Sequence, residues 1–384
     1  MKIRVGIVGD GQLGMFLCEA AQSLAIDTVI LTGDANSPAA QRAGAAVVGA
    51  MDDAGAVQSL ADACDIVTYE REDVHPVAVD VLRRVEAAGS IHCHPSLAVI
   101  ETIQDKARQK RWLAGANLPT LPFVIAGGEA GEAAAAAAEL GYPLVQKALR
   151  GGFDGRGVQL LRDEAALAGA WPGETLYEAH AGDFREIAVI VVRAQDGDIR
   201  SFPPVDMTFD GDYSVLEWVY APSDAGEAVL AEAERVARDA IEALDGVGTF
   251  GVELFHCADG RVVINEISPR VHNAGHYTLE ATESSQFEQH LRAVTGLPLA
   301  GTALETPAAM RNLLCTEAIA EAARDRAAGR SAEGPVATYW YGKAPARAMR
   351  KLGHITAIGA SAAEAGERAA AAYRRLTGSR GEAA

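Results

Sequence analysis

A chain of 384 residues is too long for one small core, so two or three domains are expected. Hydrophobic residues at 49% and charged residues at 22% describe a folded, soluble chain, and a net charge of −18 with no basic stripe excludes nucleic acid and an acidic membrane surface as partners. Cys18, Cys64, Cys93, Cys257 and Cys315 are scattered and form no C-x-x-C pair, which excludes a disulfide scaffold or a zinc site; a cytoplasmic protein without signal peptide or membrane span is expected.

Ile3–Val8 reads as an apolar strand ending in Gly9-Asp10-Gly11-Gln12-Leu13-Gly14, ahead of helical spacing over 15–25. Such a strand–turn–helix presents bare backbone N–H groups that favour an anion. A dinucleotide site, with Asp34 near a ribose hydroxyl, stays open here beside a different phosphate ligand or a structural turn. Strands at 28–31, 46–48, 65–70 and 91–93 alternate with helices at 54–63 and 77–88, the pattern of a parallel sheet whose ligands sit beyond the C-terminal strand ends. Glu70 falls there, and faces a ligand or ends a strand in solvent.

The first domain boundary is placed near residue 100. A charged helix opens at Gln104-Asp105-Lys106 and carries Lys110 and Arg111, and Leu118–Pro122 reads as an extended linker. A small α/β module follows: a strand near Phe123, an alanine-rich helix, strands at 144–147 and 158–161, and a helix at 164–170. Lys147 sits on the first strand of the inner pair, and the loop between them holds Gly151, Gly152, Gly155 and Gly157. Glycines allow close backbone approach, so this element suits a polyphosphate; an ordinary hairpin with a loose turn is the alternative.

Strands at 176–178, 187–192 and 199–202 come next, with a hairpin turn at Asp196-Gly197, then a long helix at 225–244. Two further strands, 248–255 and 262–267, are joined by a turn at Asp259-Gly260. Their pairing turns Glu253 and Glu266 to one face, a donor set suited to Mg²⁺, with Asn265 on the other face or at the strand end beside the ligand. The loop 268–276 packs Arg270, His272 and Asn273 beside these acids, which suits a second, anionic substrate. A helix begins at Ser285, and His290 within it reads as structural. A strand at 336–341 leads into Lys343, Arg347, Arg350, Lys351 and His354, a basic cluster that suits an anion, and a last helix covers 362–376.

With these stretches the chain resembles the ATP-grasp superfamily and, within it, the N5-carboxyaminoimidazole ribonucleotide synthetases. The resemblance covers nearly the whole chain. It is carried by Gly9 to Gly14, Thr68-Tyr69-Glu70, Gln104-Asp105-Lys106, Arg150 to Gly157, Asn265 to His276, Ser285 to Leu291, Tyr341-Gly342-Lys343 and Arg350 to His354. It implies an α/β and α+β multidomain fold: a Rossmann-like parallel sheet over 1–100, an ATP-grasp domain over 101–310 with a lid-bearing subdomain near 120–178, and a small β-rich C-terminal domain over 311–384.

The resemblance also implies an activity. ATP phosphorylates bicarbonate, and the carboxyphosphate carboxylates the exocyclic amine of aminoimidazole ribonucleotide, with ADP and phosphate released. It implies ATP at Lys106, Lys147, Gly152, Gly155, Glu178, Glu186 and Asn265, and Mg²⁺ at Glu253 and Glu266. The ribonucleotide would meet Gln12, Leu13, Glu70 and Phe153, with its phosphate at Lys343 and Arg350. Asp154, Arg270, His272 and Asn273 would serve the chemistry, and a homodimer is implied. The chain departs from the family pattern at Arg71-Glu72-Asp73, at Phe153-Asp154, at Gly155-Arg156-Gly157, at Phe202-Pro203 with Asp206-Met207, and at Arg347-Ala348-Met349. These changes surround the acceptor and leave open a relative that joins another acid to another amine. A non-catalytic nucleotide sensor or an NAD-binding protein is the third reading, against which Lys147, Glu253 and Glu266 argue.

Overall fold

A computed structural model describes residues 2–127, 131–152, 157–211, 215–324, 326–343 and 345–378. Its first layer is a five-stranded parallel sheet in the spatial order Ala45–Val48, Asp27–Thr32, Arg4–Val8, Ile66–Tyr69, His92–Cys93. The inner strands are continuous apolar runs because helices cover both faces. Gln12–Ser23 lies on one side, and Ala54–Asp62 and Pro76–Ala87 on the other. Helix starts are marked by Asp53, which accepts from Gly55 and Ala56 N–H, and by Pro76 in the first turn.

A second, antiparallel sheet has the order Phe123–Ala126, Thr175–Ala179, Leu144–Ala148, Val158–Leu161. The alanine-rich helix Glu132–Leu140 covers it. The segment expected as an α-helix after it is a 3-10 helix, Glu164–Gly169; Asp163 caps it by accepting from Ala166 N–H, and Gly169 and Pro172 leave no room for a second α-turn.

The third layer is one antiparallel sheet in the order Val262–Ser268, Gly248–Cys257, Phe184–Arg193, Val205–Phe209, Leu216–Ala221, Ala308–Leu314, Lys351–Ile358, Val336–Trp340, Gly329–Glu333, with Ile199–Ser201 also paired to Phe184–Arg193. The strands of the β-rich C-terminal part therefore continue the sheet of the central part instead of starting a separate one. The helix Glu227–Ala243 packs its Val236, Ala240 and Ile241 on Ile187, Val189 and Val191. The helix Gln286–Thr295 wedges between the central strands and the first layer, where Phe287, Leu291 and Val294 share a core with Phe16 and Leu17. Among the described residues no helix is long and apolar enough to cross a membrane.

Candidate active site

The lysine of the glycine-loop strand and those of the preceding helix meet around one small cavity. Lys106, Gln109, Lys110, Lys147, Leu176, Asn265 and Glu266 line it. Asp105 caps the helix Lys106–Gly115 by accepting from Arg108 N–H and pairs with Arg150 at 3.2 Å; Lys106 N–H donates to the Leu149 carbonyl. The helix start is thereby tied to the stem of the glycine loop. Gly157 closes that stem at φ 74°, with its carbonyl accepting from Ala148 N–H.

Glu178 is buried between two ammonium groups, Lys147 at 2.6 Å and Lys110 in direct contact. Burial pushes this carboxyl up, but the two cations outweigh it and hold the group below its ordinary range. Burial and the neighbouring Lys147 bring Lys110 down to about 8 against the pull of Glu178. Glu178, expected near adenine and ribose, thus has both oxygens directed at lysines and acts on the cavity through Lys147. Glu186 feels Lys147 as well, but burial outweighs that cation. Burial, with Glu253 nearby, pushes its carboxyl up to about 8.

Glu253 and Glu266 are direct partners across the hairpin, as the turn at Asp259-Gly260 predicts. The next pair along is Leu254 with Ile264, so Asn265 is the extra residue of a β-bulge. The bulge decides between the two placements expected for Asn265: Asn265 and Glu266 both turn to the cavity, where Asn265 Oδ1 accepts from Lys147 at 3.0 Å and Glu266 pairs with Lys106 at 2.5 Å. Burial raises Glu253, but His272 Nε2 at 3.2 Å, with Lys106 and Lys351, outweighs it and keeps the carboxyl low. Two carboxylates and one carboxamide oxygen on adjacent strands form an all-oxygen donor set of the kind a hard divalent cation takes. Among the described residues no three His, Cys, Asp or Glu side chains are placed to hold a metal ion together, so the remaining ligands would come from phosphate oxygens or water.

The glycine turn of the first layer holds an anion, but the anion is the chain's own. Glu70 accepts from Gly11 N–H at 2.8 Å and Gly14 N–H at 3.1 Å. A Cβ at Gly9 would lie 2.4 Å from Glu70 Cγ, which explains that glycine without a dinucleotide. Asp34 closes a local turn by accepting from Asn36 N–H. Leu13 is buried in the core beside Val271, and Gln12 Oε1 accepts from Lys343. Arg350 bonds the Pro345 carbonyl at the same edge.

In the loop after Glu266, Arg270 Nε donates to Glu72, whose carboxyl is raised by burial but held down at about 2 by that guanidinium. The flanking departures Arg71 and Asp73 pair with each other on the surface, so only the middle residue of that triplet reaches the site. His272 sits over Gly251, where a Cβ would come within 2.5 Å of the ring. Asn273 forms a reciprocal carboxamide pair with Asn312, which makes it a contact between loop and sheet. His290 is structural as expected: it accepts from Thr249 N–H and bonds Thr68 Oγ1, joining the first layer to the central sheet.

Phe153, Asp154 and Gly155 lie outside the described residues; Gly152 is at the edge of the loop stem. Three residues of the site were not singled out from sequence: Lys110, Glu72 and Gln109. Gln109 accepts from Ile267 N–H at 2.9 Å and donates to its carbonyl at 3.3 Å. A glutamine and a lysine on the buried face of an otherwise charged helix are the signal that marks two of them.

Known proteins match the chain along nearly its whole length. The ribonucleotide synthetase preATP-grasp domain family matches residues 1–104, the ATP-grasp domain family matches 111–287, and the phosphoribosylaminoimidazole carboxylase C-terminal domain family matches 308–368. The N5-carboxyaminoimidazole ribonucleotide synthase of Synechococcus elongatus is 40% identical over 97% of this chain and 93% of its own length. The carboxyaminoimidazole ribonucleotide synthase of Aspergillus clavatus, solved with ATP, superposes with a TM-score of 0.87 at 32% identity, covering 98% of both chains. The same fungal enzyme solved with ADP and 5-aminoimidazole ribonucleotide gives 0.85 at 32% identity, over 98% of this chain and 99% of that one. The chain belongs to the N5-carboxyaminoimidazole ribonucleotide synthase family.

Proposed function

We propose that the protein carboxylates 5-aminoimidazole ribonucleotide with bicarbonate, at the expense of ATP, to give N5-carboxyaminoimidazole ribonucleotide in purine biosynthesis. The observation that carries this reading is the meeting of two sets of groups at one seam. Lys106, Lys147, Glu253 and Glu266 stand on the nucleotide side, and Arg270, His272, Glu70 and Lys343 on the acceptor side.

Bicarbonate is a poor electrophile. Attack of its oxygen on the γ-phosphorus breaks the bond to the β-phosphate bridging oxygen and yields carboxyphosphate and ADP. The exocyclic amine nitrogen then attacks the carboxyl carbon, or CO₂ released from it; phosphate leaves with the electron pair and the amine gives up a proton. Lys106 and Lys147 lie where they would neutralise phosphate charge. Glu253 and Glu266, with Asn265 alongside, would hold Mg²⁺, which would supply positive charge against the phosphates. Arg270, presented by Glu72, suits a carbonate or phosphate oxygen. His272 offers a hydrogen bond from the same wall, and Asp154 or His272 would take the proton of the amine. Lys343 and Arg350 suit the phosphate of the ribonucleotide, with Gln12, Leu13, Glu70 and Phe153 along its length. Gly152 and Gly155 are assigned to ATP by the family resemblance alone. Glu186 lies on the ATP side, at the ribose. Enclosure matters because water destroys carboxyphosphate.

The test is ADP release with Mg²⁺, ATP and bicarbonate, with and without the ribonucleotide. Stimulation by the ribonucleotide is expected; hydrolysis indifferent to it but stimulated by another amine would transfer the protein to a different acceptor. The family resemblance further supports a homodimer, for which light scattering should return twice the chain mass of 40.1 kDa. Five free, buried cysteines suit a cytoplasmic setting, which microscopy of the tagged protein would check.

A further inference from the structure

The stretch 285–291 has no role in the reaction as derived above, yet its glutamine is completely buried against the loop that carries His272. Gln286 Oε1 accepts from His272 N–H at 2.8 Å, and Gln286 Nε2 donates to the His272 carbonyl at 2.7 Å. One carboxamide therefore satisfies both backbone groups of a single residue, as a neighbouring β-strand would. Gly275 lies against it so closely that a Cβ there would come within 2.5 Å of the carboxamide. Thr278 Oγ1 locks the same corner, accepting from Gln286 N–H at 3.0 Å and donating to the Gly275 carbonyl at 2.6 Å. At the other end of the loop Gln109 treats Ile267 in the same way. Between the two clamps lie Arg270 and His272, on backbone that belongs to no strand or helix after Ser268.

We propose that Gln286 is a positioning residue for His272: its carboxamide sets the backbone from which the imidazole reaches Glu253. Both hydrogen bonds of the side chain go to the His272 backbone, so its effect on the site passes through His272. The inference rests on the reading of His272 as a working residue of the synthetase.

The experiment is a double-mutant cycle on ribonucleotide-stimulated ADP release. Gln286→Met keeps the length and apolar packing of the side chain but removes both hydrogen bonds. It should lower kcat by about thirtyfold with the ATP KM within about twofold, since the interaction is one of orientation rather than nucleotide binding. His272→Asn alone should cost at least as much, and adding Gln286→Met to it should cost no more than about threefold further. Losses that multiply would overturn the proposal, because a residue serving general packing lowers activity whatever stands at 272. Should Gln286→Met not fold, Gln286→Glu carries the same cycle; it keeps the acceptor for His272 N–H and lacks the donor to the carbonyl. Amide hydrogen exchange over 270–276 reads the clamp without turnover: faster exchange in the variant supports it and an unchanged rate overturns it. Full turnover in His272→Asn would instead remove the role given to His272, leaving exchange to decide on the clamp.

Discussion

Glu186 and Lys110 are the two titrating groups of the nucleotide side that stand near neutrality, and they work in opposite directions. Glu186 is raised to about 8 by burial and by Glu253, so the folded protein keeps a proton there that the unfolded chain has lost above its ordinary carboxylate range. Stability from this group is complete at low pH and falls away as pH rises through 8. Lys110 is lowered to about 8, so between there and its ordinary value the unfolded chain binds the extra proton and stability recovers with rising pH. The wild-type slope alone therefore cannot report Glu186, but Glu186→Gln can. Urea midpoints of the nucleotide-free protein from pH 6 to 9 should fall more steeply in the wild type than in the variant, by about 1–2 kcal/mol after allowance for solvent screening. Parallel profiles would show that Glu186 is ionised throughout. At this scale the sequence is a good guide to which residues gather and a poor guide to their partners. Glu253 and Glu266 are legible because a short turn fixes their register. Glu72 and Lys110 are not, because each acquires its role from a residue far away in the chain, Arg270 and Glu178.

The hairpin Gly248–Cys257 and Val262–Ser268 shows how an element places chemistry by departing from regularity. Strict alternation would send either Asn265 or Glu266 to the core face, and the bulge sends both to the cavity. A bulge leaves no mark in the alternation of Val262-Val263-Ile264-Asn265-Glu266-Ile267, which is why strand logic alone leaves Asn265 between two faces. The opposite strand departs in another way. Gly251 stands where the loop 269–276 crosses, and the His272 ring takes the space of its missing side chain. Gly251→Ala should therefore push the ring off Glu253. Over-packing of this kind costs about 1–3 kcal/mol, and kcat should fall about tenfold or more while the ATP KM stays near its wild-type value. Urea unfolding and steady-state turnover check both halves; normal kcat would mean that the loop moves without consequence. The strands Val205–Phe209, Leu216–Ala221 and Ala308–Leu314 are less legible because charged residues interrupt them. The basic cluster Lys343 to His354 hides the strand Lys351–Ile358, whose His354, Ile355 and Thr356 are buried in the sheet.

Across the whole molecule, family boundaries and physical boundaries do not coincide. The C-terminal part contributes the strand Ala308–Leu314, which pairs along Leu216–Ala221 of the central part, and Met310 packs with Ala274 and Tyr277 directly behind the site loop. Asn312 on that strand holds Asn273, and Lys343 reaches across to Gln12 of the first layer. The helix Gln286–Thr295 completes the circle through His290 and Thr68. Each part therefore supplies atoms that fix the geometry of another, and the proposed site lies where the three join. A chain ended at residue 307 tests this directly. It retains every residue assigned to ATP and to the metal, but it leaves Leu216–Ala221 as a bare sheet edge and uncovers Val219, Ala221 and Tyr277. Unpaired, apolar edges recruit other chains, so the fragment should aggregate and show no saturable ATP binding by calorimetry. A monomeric fragment that binds ATP normally would show instead that the central part folds alone and that the C-terminal strands serve only the acceptor. The outcome follows from pairing rather than from composition, since acidic charge elsewhere on the chain leaves the uncovered face apolar.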